Sequence, residues 1–439
     1  MKIKMAERKL TKTKYAQAIN DEILDKLSLK NRYSFLNNNM MSILSSEQFN
    51  FFKKVQKFCL RFEKKNNITH SSEEDMYDWI PAFGAEGYIT RAHTFEAVDV
   101  NYDYYGAAAD FMRYLAVDSF DPQFAMGSGA TVLAINPVYE HHENIPERLE
   151  ALKQMVTGQA AGCILITEPE RGSDAVHQLT TCDKQEDGSF ILNGEKIFNT
   201  NAPKSKWAVS YAAAEQNNGN TMAQFLIDTD WEGWNCERVY IPWVPKLYLG
   251  KERLVNLRVP KEYVLGDVGK GREHLFEGLI PERIGIAMGG VAQAWNAIAH
   301  AGIYINLRKQ FDKVILTFQG VGFTFADLWA RTANITQGIL KFAETYDEKM
   351  EKFGGEIPGN IQQAMVVSAS QFKYHATKIS QEVCYECANL MGGAGLGDNT
   401  LMHDLLNMSR IQEIVGGSRQ IQQYIMSMAF RKLFKMSVQ

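Results

Sequence analysis

One carboxylate of the sequence, that of Glu282, lies among small residues on a predicted helix. Glu282 lies in a stretch predicted to be helical, and the helical repeat places Gly285, Ile286 and Gly289 on the same face. Small residues on that face would let another group approach closely. Burial raises the pKa of a carboxylate toward neutrality, which suits a base that removes a weakly acidic proton. The alternative interpretation is a pair between Glu282 and Arg283 on the helix surface.

A second group of candidate residues lies in segment 163–201. An apolar run from Cys163 to Ile166 predicts a short buried strand, which ends before Pro169. Two turn dipeptides follow, Asp187-Gly188 and Asn193-Gly194, and such dipeptides between apolar runs are strong hairpin signals. A small β-rich unit is therefore predicted inside a chain whose other periodicity is helical.

Two motifs in this unit carry a resemblance to a known family. The segment Thr-Glu-Pro-x-x-Gly-Ser-Asp at 167–174, followed by Asn-Gly-Glu-Lys-x-Phe-x-Thr-Asn at 193–201, resembles the acyl-CoA dehydrogenase family. In that family these loops hold the flavin ring of FAD and the start of the CoA arm. The resemblance implies α,β-desaturation of an acyl-CoA thioester, in which a carboxylate removes the α proton and flavin N5 takes the β hydride. It also implies an electron-transferring flavoprotein or a similar electron acceptor.

The sequence departs from the family pattern at the position of the residue that usually acts as the base. The family carries a Glu in a segment similar to Ile-Tyr-Glu-Gly-Thr, whereas residues 414–418 read Ile-Val-Gly-Gly-Ser and place Gly416 at the Glu position. Members similar to isovaleryl-CoA dehydrogenase carry the base on an earlier helix, just before an Arg, and Glu282 matches that place. The resemblance therefore implies Glu282 as base and Arg283 as a substrate contact near the CoA arm. The backbone N–H of Gly416 could still donate to the thioester oxygen.

The resemblance also implies a set of FAD-binding positions. Those near the flavin and the CoA arm are Ile164, Ile166, Thr167, Ser173, Phe198 and Thr200, of which Ser173 also contacts substrate. Those on the pyrophosphate and adenosine side, reached across a subunit boundary, are Arg308, Phe311 and Gln319. Positions late in the chain are Asn389, Gly392, Gly393, Ser418 and Gln420.

Several of these positions have simpler explanations or depart from the family pattern. Phe198 could be a core-facing strand residue, Arg308 a cation at a helix C-terminus, and the glycines a turn between two helices. Asn389 stands where the family usually has Gln, and Asn407-Met408 stand where it usually has Arg-Asp.

The expected fold is α+β and multidomain. We expect an N-terminal extension at 1–45 that is polar or a loosely docked helix, and a helical domain at 46–162 that begins with a helix capped by Ser45 or Ser46. A β-barrel-like middle domain at 163–267 and a C-terminal four-helix bundle at 268–439 follow. This order is also the one that the resemblance implies.

Composition excludes several other classes of protein. The net charge of −4 comes without a basic block, so a nucleic-acid partner is not expected. No apolar run approaches the ~18 residues that span a membrane. The N-terminal nine residues lack the apolar core of a secretory signal, so we expect a cytoplasmic location, with the mitochondrial matrix as the alternative. The resemblance implies a homo-oligomer, either a tetramer or a dimer.

Two further residue pairs in the sequence are not interpreted as reactive or metal-binding sites. Cys384 and Cys387 are interpreted as small buried residues, and His141-His142 as solvated histidines rather than metal ligands. No metal site is expected.

The alternatives to a dehydrogenase are a flavin- or CoA-binding scaffold that has lost activity, and an enoyl-CoA reductase on the same fold.

Overall fold

The computed structural model describes residues 19–68, 75–89, 96–98, 100, 106–355, 357–397 and 400–438. Helices precede and follow a central sheet, which confirms the predicted α+β architecture. Residues 1–18 of the predicted extension and the predicted helix start near Tyr104 lie outside the described residues. Within the described ranges, no helix combines the length and apolarity needed to cross a bilayer.

The N-terminal part contains seven α-helices in its described residues. They are α1 (Asp21–Lys26), α2 (Leu29–Met40), α3 (Ser46–Asn66), α4 (Ile80–Ala85), α5 (Ala107–Phe120), α6 (Pro122–Glu140) and α7 (Pro146–Val156). Helix α3 begins with a capping box, in which Gln48 N donates to Ser45 Oγ at 3.3 Å and Ser45 N donates to Gln48 Oε1 at 2.9 Å. The predicted cap is therefore present at Ser45.

Helix α2 is firmly packed, which differs from the expected loose docking. Tyr33 Oη donates to the carbonyl of Ala116 at 2.7 Å, and the Arg32 guanidinium donates to the carbonyl of Ser119. Leu36 and Met40 are fully buried on the same helix. The sequence interpretation missed this because the apolar positions of α2 are separated by asparagines, which weaken the helical pattern.

The middle domain is built on one eight-stranded sheet. Its strands are β1 (Gly162–Leu165), β2 (Thr181–Lys184), β3 (Phe190–Thr200), β4 (Trp207–Ala213), β5 (Met222–Asp228), β6 (Trp234–Val239), β7 (Leu249–Val259) and β8 (Val264–Leu265). The order across the sheet is β6-β7-β3-β2-β4-β5-β8, and β1 pairs in parallel with β4. Every residue of β4 is buried, which is typical of a strand covered on both faces.

The C-terminal part is a bundle of long helices. After α8 (Gly271–Leu307) a short hairpin, β9 (Lys309–Gln310) and β10 (Lys313–Val314), leads to α9 (Gln319–Lys352), α10 (Gly359–Met391), α11 (Met402–Ile414) and α12 (Arg419–Val438). Helix α10 packs against each of the other four helices. Cys384 and Cys387 are both fully buried on α10, as predicted for small apolar residues.

The packing of α2 can be tested with Leu36→Ala. Because Leu36 is fully buried, the truncation should lower the free energy of unfolding by about 2–5 kcal/mol. Met41→Ala, at an exposed position just after the same helix, should change it by less than about 0.5 kcal/mol. Denaturant unfolding of both variants measures the difference, and equal stabilities would contradict the docked arrangement.

Candidate active site

A cavity of about 610 Å³ lies where the three parts of the chain meet. Its walls come from α5, α6, β1, the 166–173 loop, β3, α8, and the end of α11 with the loop after it. A volume of this size falls within the range of small-molecule and cofactor sites. The cavity brings together nine of the predicted site residues: Ile164, Ile166, Thr167, Ser173, Phe198, Thr200, Glu282, Gly416 and Ser418.

Glu282 places its carboxylate on the wall of this cavity. It lies on α8 directly after Pro281, which has no N–H to donate to the carbonyl of residue 277. The side chain retains some accessible surface, and the surface faces the cavity. Burial raises the pKa of Glu282, while the positive charges of Arg283 and Lys373 oppose the rise. Within the described part of the chain, no group donates a hydrogen bond to this carboxylate, so it is available to a ligand.

The loop after α11 brings Gly416 close to Glu282. Gly416 has a φ of +62° and Gly417 a φ of +87°, a backbone region that residues with a side chain rarely adopt. A Cβ added at residue 416 would lie 2.3 Å from Ile286 Cδ1 and 3.2 Å from Glu282 Oε1. The Glu282 carboxylate therefore lies beside the space that a side chain at residue 416 would use.

The two sequence motifs are joined by direct contacts. The N–H of Ile197 donates to the carbonyl of Thr167 at 2.9 Å, and Lys196 Nζ lies 3.0 Å from Glu168 Oε1 in a fully buried ion pair. Burial by itself would raise the pKa of Glu168, but Lys196 and the N–H groups of Leu179 and Thr180 outweigh it and lower the pKa. These contacts fix the 167–174 loop against β3, so both motifs face one cavity.

Phe198 projects into the cavity because β3 is irregular at this residue. The pairing of β3 with β7 shifts register between Ile197 and Asn199, which leaves Phe198 as the extra residue of a bulge. Its φ is +63°, which is strained for an aromatic residue, and its side chain is 52% exposed. Phe198 is therefore a cavity-lining ring rather than the core-facing strand residue that strand alternation allowed.

The cavity wall also offers free hydroxyl groups. Within the described residues, the side chains of Thr167, Ser173, Thr200 and Ser418 line the cavity and make no hydrogen bond to protein. A hydroxyl can both donate and accept, so four such groups beside an exposed aromatic ring fit a flat, polar ring system such as a flavin. The residues present are thus compatible with FAD.

Several groups at the site were missed by the sequence interpretation. Tyr114 and Asn136 line the cavity, and Asn136 Oδ1 is buried without a hydrogen-bond partner. Asn201, with a φ of +76°, donates to the carbonyl of Gly127 at 2.7 Å and ties the end of β3 to α6. The bond between Asn201 and Gly127 joins residues 74 positions apart in the chain, so spacing could not reveal it.

One histidine is less exposed than the sequence predicted. His141 is partly buried against His274, with ring centroids 4.3 Å apart, rather than solvated. Burial and the neighbouring His274 lower the pKa of His141 to about 4. This pair lies outside the cavity wall.

Arg283 is not brought to the cavity wall. It follows Glu282 by one residue, which on a helix rotates the side chain by about 100°. The guanidinium is buried beside α10, where its Nη1 lies 3.4 Å from Ser370 Oγ. A direct contact between Arg283 and substrate therefore stays a prediction without support from this placement.

The remaining predicted cofactor residues lie on the outer surface of the C-terminal part. Phe311 is 88% exposed in the turn between β9 and β10. The other members of this surface set are also exposed: Arg308, Gln319, Asn389, Gly392, Gly393 and Gln420. None of them lines the cavity, so a single chain does not bring the two groups together.

Comparison with known proteins identifies the family. Residues 163–242 match the acyl-CoA dehydrogenase middle domain and residues 269–430 the acyl-CoA dehydrogenase C-terminal domain, together more than half of the chain. A probable short/branched chain specific acyl-CoA dehydrogenase from Dictyostelium discoideum is 27% identical over 344 residues, covering 74% of this chain and 77% of that protein.

Two further proteins extend the comparison. The caffeyl-CoA reductase-Etf complex subunit CarC of Acetobacterium woodii is 28% identical over 278 residues, covering 63% of this chain and 70% of that one. The acyl-CoA dehydrogenase of Bacillus anthracis, solved in complex with FAD, superimposes with a TM-score of 0.79 at 22% identity, covering 90% of this chain and 70% of that one. On the two domain matches, the chain belongs to the acyl-CoA dehydrogenase family.

Proposed function

We propose that this protein is an FAD-dependent acyl-CoA dehydrogenase in which Glu282 removes the α proton of the thioester. Family membership supports the reaction class. The observation that carries the assignment of the base is the Glu282 carboxylate on the cavity wall, beside the position where a side chain at residue 416 would otherwise lie. The subtype similar to isovaleryl-CoA dehydrogenase is part of this proposal.

Each residue has a separate task in the proton transfer. The α proton of a thioester is weakly acidic, so the base must be deprotonated yet have a pKa raised toward neutrality. Burial of Glu282 provides the raised pKa, and because no described residue donates a hydrogen bond to it, its oxygens are free for the substrate. The backbone N–H of Gly416 would donate to the thioester oxygen, where negative charge develops as the proton leaves.

FAD, when bound, would supply the acceptor for the β hydride. Phe198 would contact its ring, and the hydroxyls of Thr167, Ser173, Thr200 and Ser418 would bind its polar edge or the start of the CoA arm. Ile164 and Ile166 would pack against the ring as apolar contacts.

The exposed cofactor residues of one copy of the chain would complete the FAD site of a second copy. Arg308 suits a pyrophosphate because its planar guanidinium binds phosphate with two hydrogen bonds. With Phe311, Gln319 and the 389–393 segment, it lies outside the cavity of its own chain, which supports a homo-oligomer with shared sites. Electrons would pass to an electron-transferring flavoprotein or a similar acceptor, as the Etf complex of the Acetobacterium relative suggests.

Glu282→Gln is the direct test of the base. The amide cannot accept the α proton, so reduction of bound flavin by an acyl-CoA should slow by at least about 10²-fold. Stopped-flow bleaching of the flavin, with a panel of acyl-CoAs, measures the rate. Glu277→Gln, on the same helix but away from the cavity wall, serves as the control and should bleach at the wild-type rate. A Glu282→Gln protein that bleaches normally would refute the assignment, and a wild-type protein that binds FAD but is bleached by none of the acyl-CoAs would favour the inactive scaffold.

The pH dependence of the same step gives a second prediction. Glu282 must be deprotonated to act, so the bleaching rate should fall as pH falls through its pKa. Since burial raises this pKa, the midpoint should lie above the ordinary glutamate value of about 4.3. Single-turnover rates across the acidic range measure the midpoint. A rate that does not change across this range would contradict the prediction.

Gly416→Ala tests the close approach of the loop to Glu282. The added Cβ would meet Ile286 and the carboxylate, and its φ of +62° is unfavourable for alanine. We expect a loss of roughly 1–3 kcal/mol in the free energy of unfolding and slower flavin bleaching. Gly278→Ala, where an added Cβ has no atom within 4 Å, should be neutral or stabilise by about 0.5–1 kcal/mol. Calorimetry distinguishes the two, and equal effects would argue against a crowded site.

A further inference from the structure

A fully buried lysine lies behind the cavity and has no part in the proposed reaction. Lys373 on α10 has 0% of its surface exposed, and lysines are rarely buried to this extent unless their charge is compensated. Its ammonium donates to the carbonyl of Glu413 at 3.1 Å and to the carbonyl of Gly417 at 2.7 Å. No carboxylate of the described residues lies within ion-pair distance of it.

These two hydrogen bonds hold the loop that carries Gly416. The last carbonyls of a helix lack partners within the helix, and a cation near the helix C-terminus compensates them. Lys373 thus links the end of α11 to the residue that follows Gly416. Gln422 on α12 holds the same loop, since its Nε2 donates to the carbonyls of Gly416 and Gly417 at 3.1 and 2.8 Å. A two-glycine loop is flexible by itself, so these contacts determine its position.

Lys373 is also a counter-charge for Glu282 on the facing helix. Burial lowers the pKa of Lys373 to about 8, and the charge of Glu282 is the largest influence opposing that shift. The other ionisable groups that interact with Glu282 are its neighbour Arg283, which attracts, and the phenol of Tyr211. Glu413 has its own partners, Arg410 and Arg419. Lys373 is therefore a cation on α10 whose charge stabilises the carboxylate form of Glu282 on α8.

We propose that Lys373 is a positioning residue that couples the two halves of the proton-transfer site. Its hydrogen bonds keep the Gly416 backbone next to Glu282, and its charge keeps Glu282 in the carboxylate form that can accept a proton. The inference rests on the proposed role of Glu282 as base. Without the lysine, burial would act on Glu282 with less opposition, and a larger fraction of the base would be protonated at any given pH.

The test separates the charge of Lys373 from its hydrogen bonds. Lys373→Met removes both, Lys373→Arg keeps the charge, and Gln422→Leu removes the other support of the loop without changing any charge. Lys378→Met, an exposed position on the same helix, is the control. The measurement is the protonation of Glu282 against pH by difference infrared spectroscopy, with the band assigned by its loss in Glu282→Gln. Flavin bleaching by an acyl-CoA is recorded on the same samples.

In Lys373→Met the midpoint of the Glu282 titration should rise by roughly one pH unit or more. Lys373→Arg and Lys378→Met should titrate close to wild type, and Gln422→Leu should slow bleaching without moving the midpoint. A wild-type midpoint in Lys373→Met, or an equal shift in Gln422→Leu, would overturn the proposal. If the Met variant does not fold, Lys373→Gln takes its place, since the amide can still donate but carries no charge.

The infrared titration also keeps the two hypotheses apart. A Glu282→Gln protein that bleaches at the wild-type rate would refute Glu282 as base, and the dependence of the Glu282 midpoint on Lys373 would still be measured. A normal midpoint in Lys373→Met, together with an inactive Glu282→Gln, would refute the role of Lys373 and leave the base assignment intact.

Discussion

The site depends on a steric constraint between two residues 134 positions apart in the chain, Glu282 and Gly416. With a φ of +62°, and with Ile286 and the Glu282 carboxylate beside it, a side chain at residue 416 would be strained and crowded. A carboxylate at Glu282 and a side chain at residue 416 therefore compete for the same space in this geometry. Gly416 permits the first, because the loop can approach α8 with its backbone alone. In this interpretation the missing Glu at 416 and the presence of Glu282 are one structural feature.

Two flexible parts of the cavity wall are held in place by buried groups of neighbouring elements. A glycine loop and a bulged strand gain little rigidity from their own residues, so neighbouring elements must hold them. Lys373 and Gln422 hold the loop, while Lys196 with Glu168 holds the strand and the loop that precedes it. Both lysines have 0% exposure, and burying a charge is favourable only when good acceptors surround it. Because a buried ion pair is weak evidence for added stability, we interpret these groups as fixing the position of the cavity wall.

Much of the fold followed from the sequence, because its signals were local. The apolar run at 163–166, the turn dipeptides and the helical periodicity from residue 273 on each reflect contacts within one element or between adjacent ones. The cap at Ser45 is equally local. Helix α2 was underestimated because its stability comes from Tyr33 and Arg32 bonding to α5, more than 80 residues away. Tertiary contacts of this kind leave little trace in a local pattern.

Residues of the site could be predicted from the sequence only where they belong to a recognisable motif. Motif positions such as Phe198 and Thr200 do line the cavity, yet periodicity assigned Phe198 to the core as readily, because a bulge inverts the alternation of a strand. Arg283 shows the limit of adjacency in sequence. It directly follows Glu282, but on a helix the two side chains point about 100° apart, and that of Arg283 faces α10. Lys373 carried no signal, since a lysine on a helix is ordinarily a solvated residue. Its role depends on its neighbours, Glu282 on α8 and the carbonyls at the end of α11. Only the packing of α8, α10 and α11 brings these groups together.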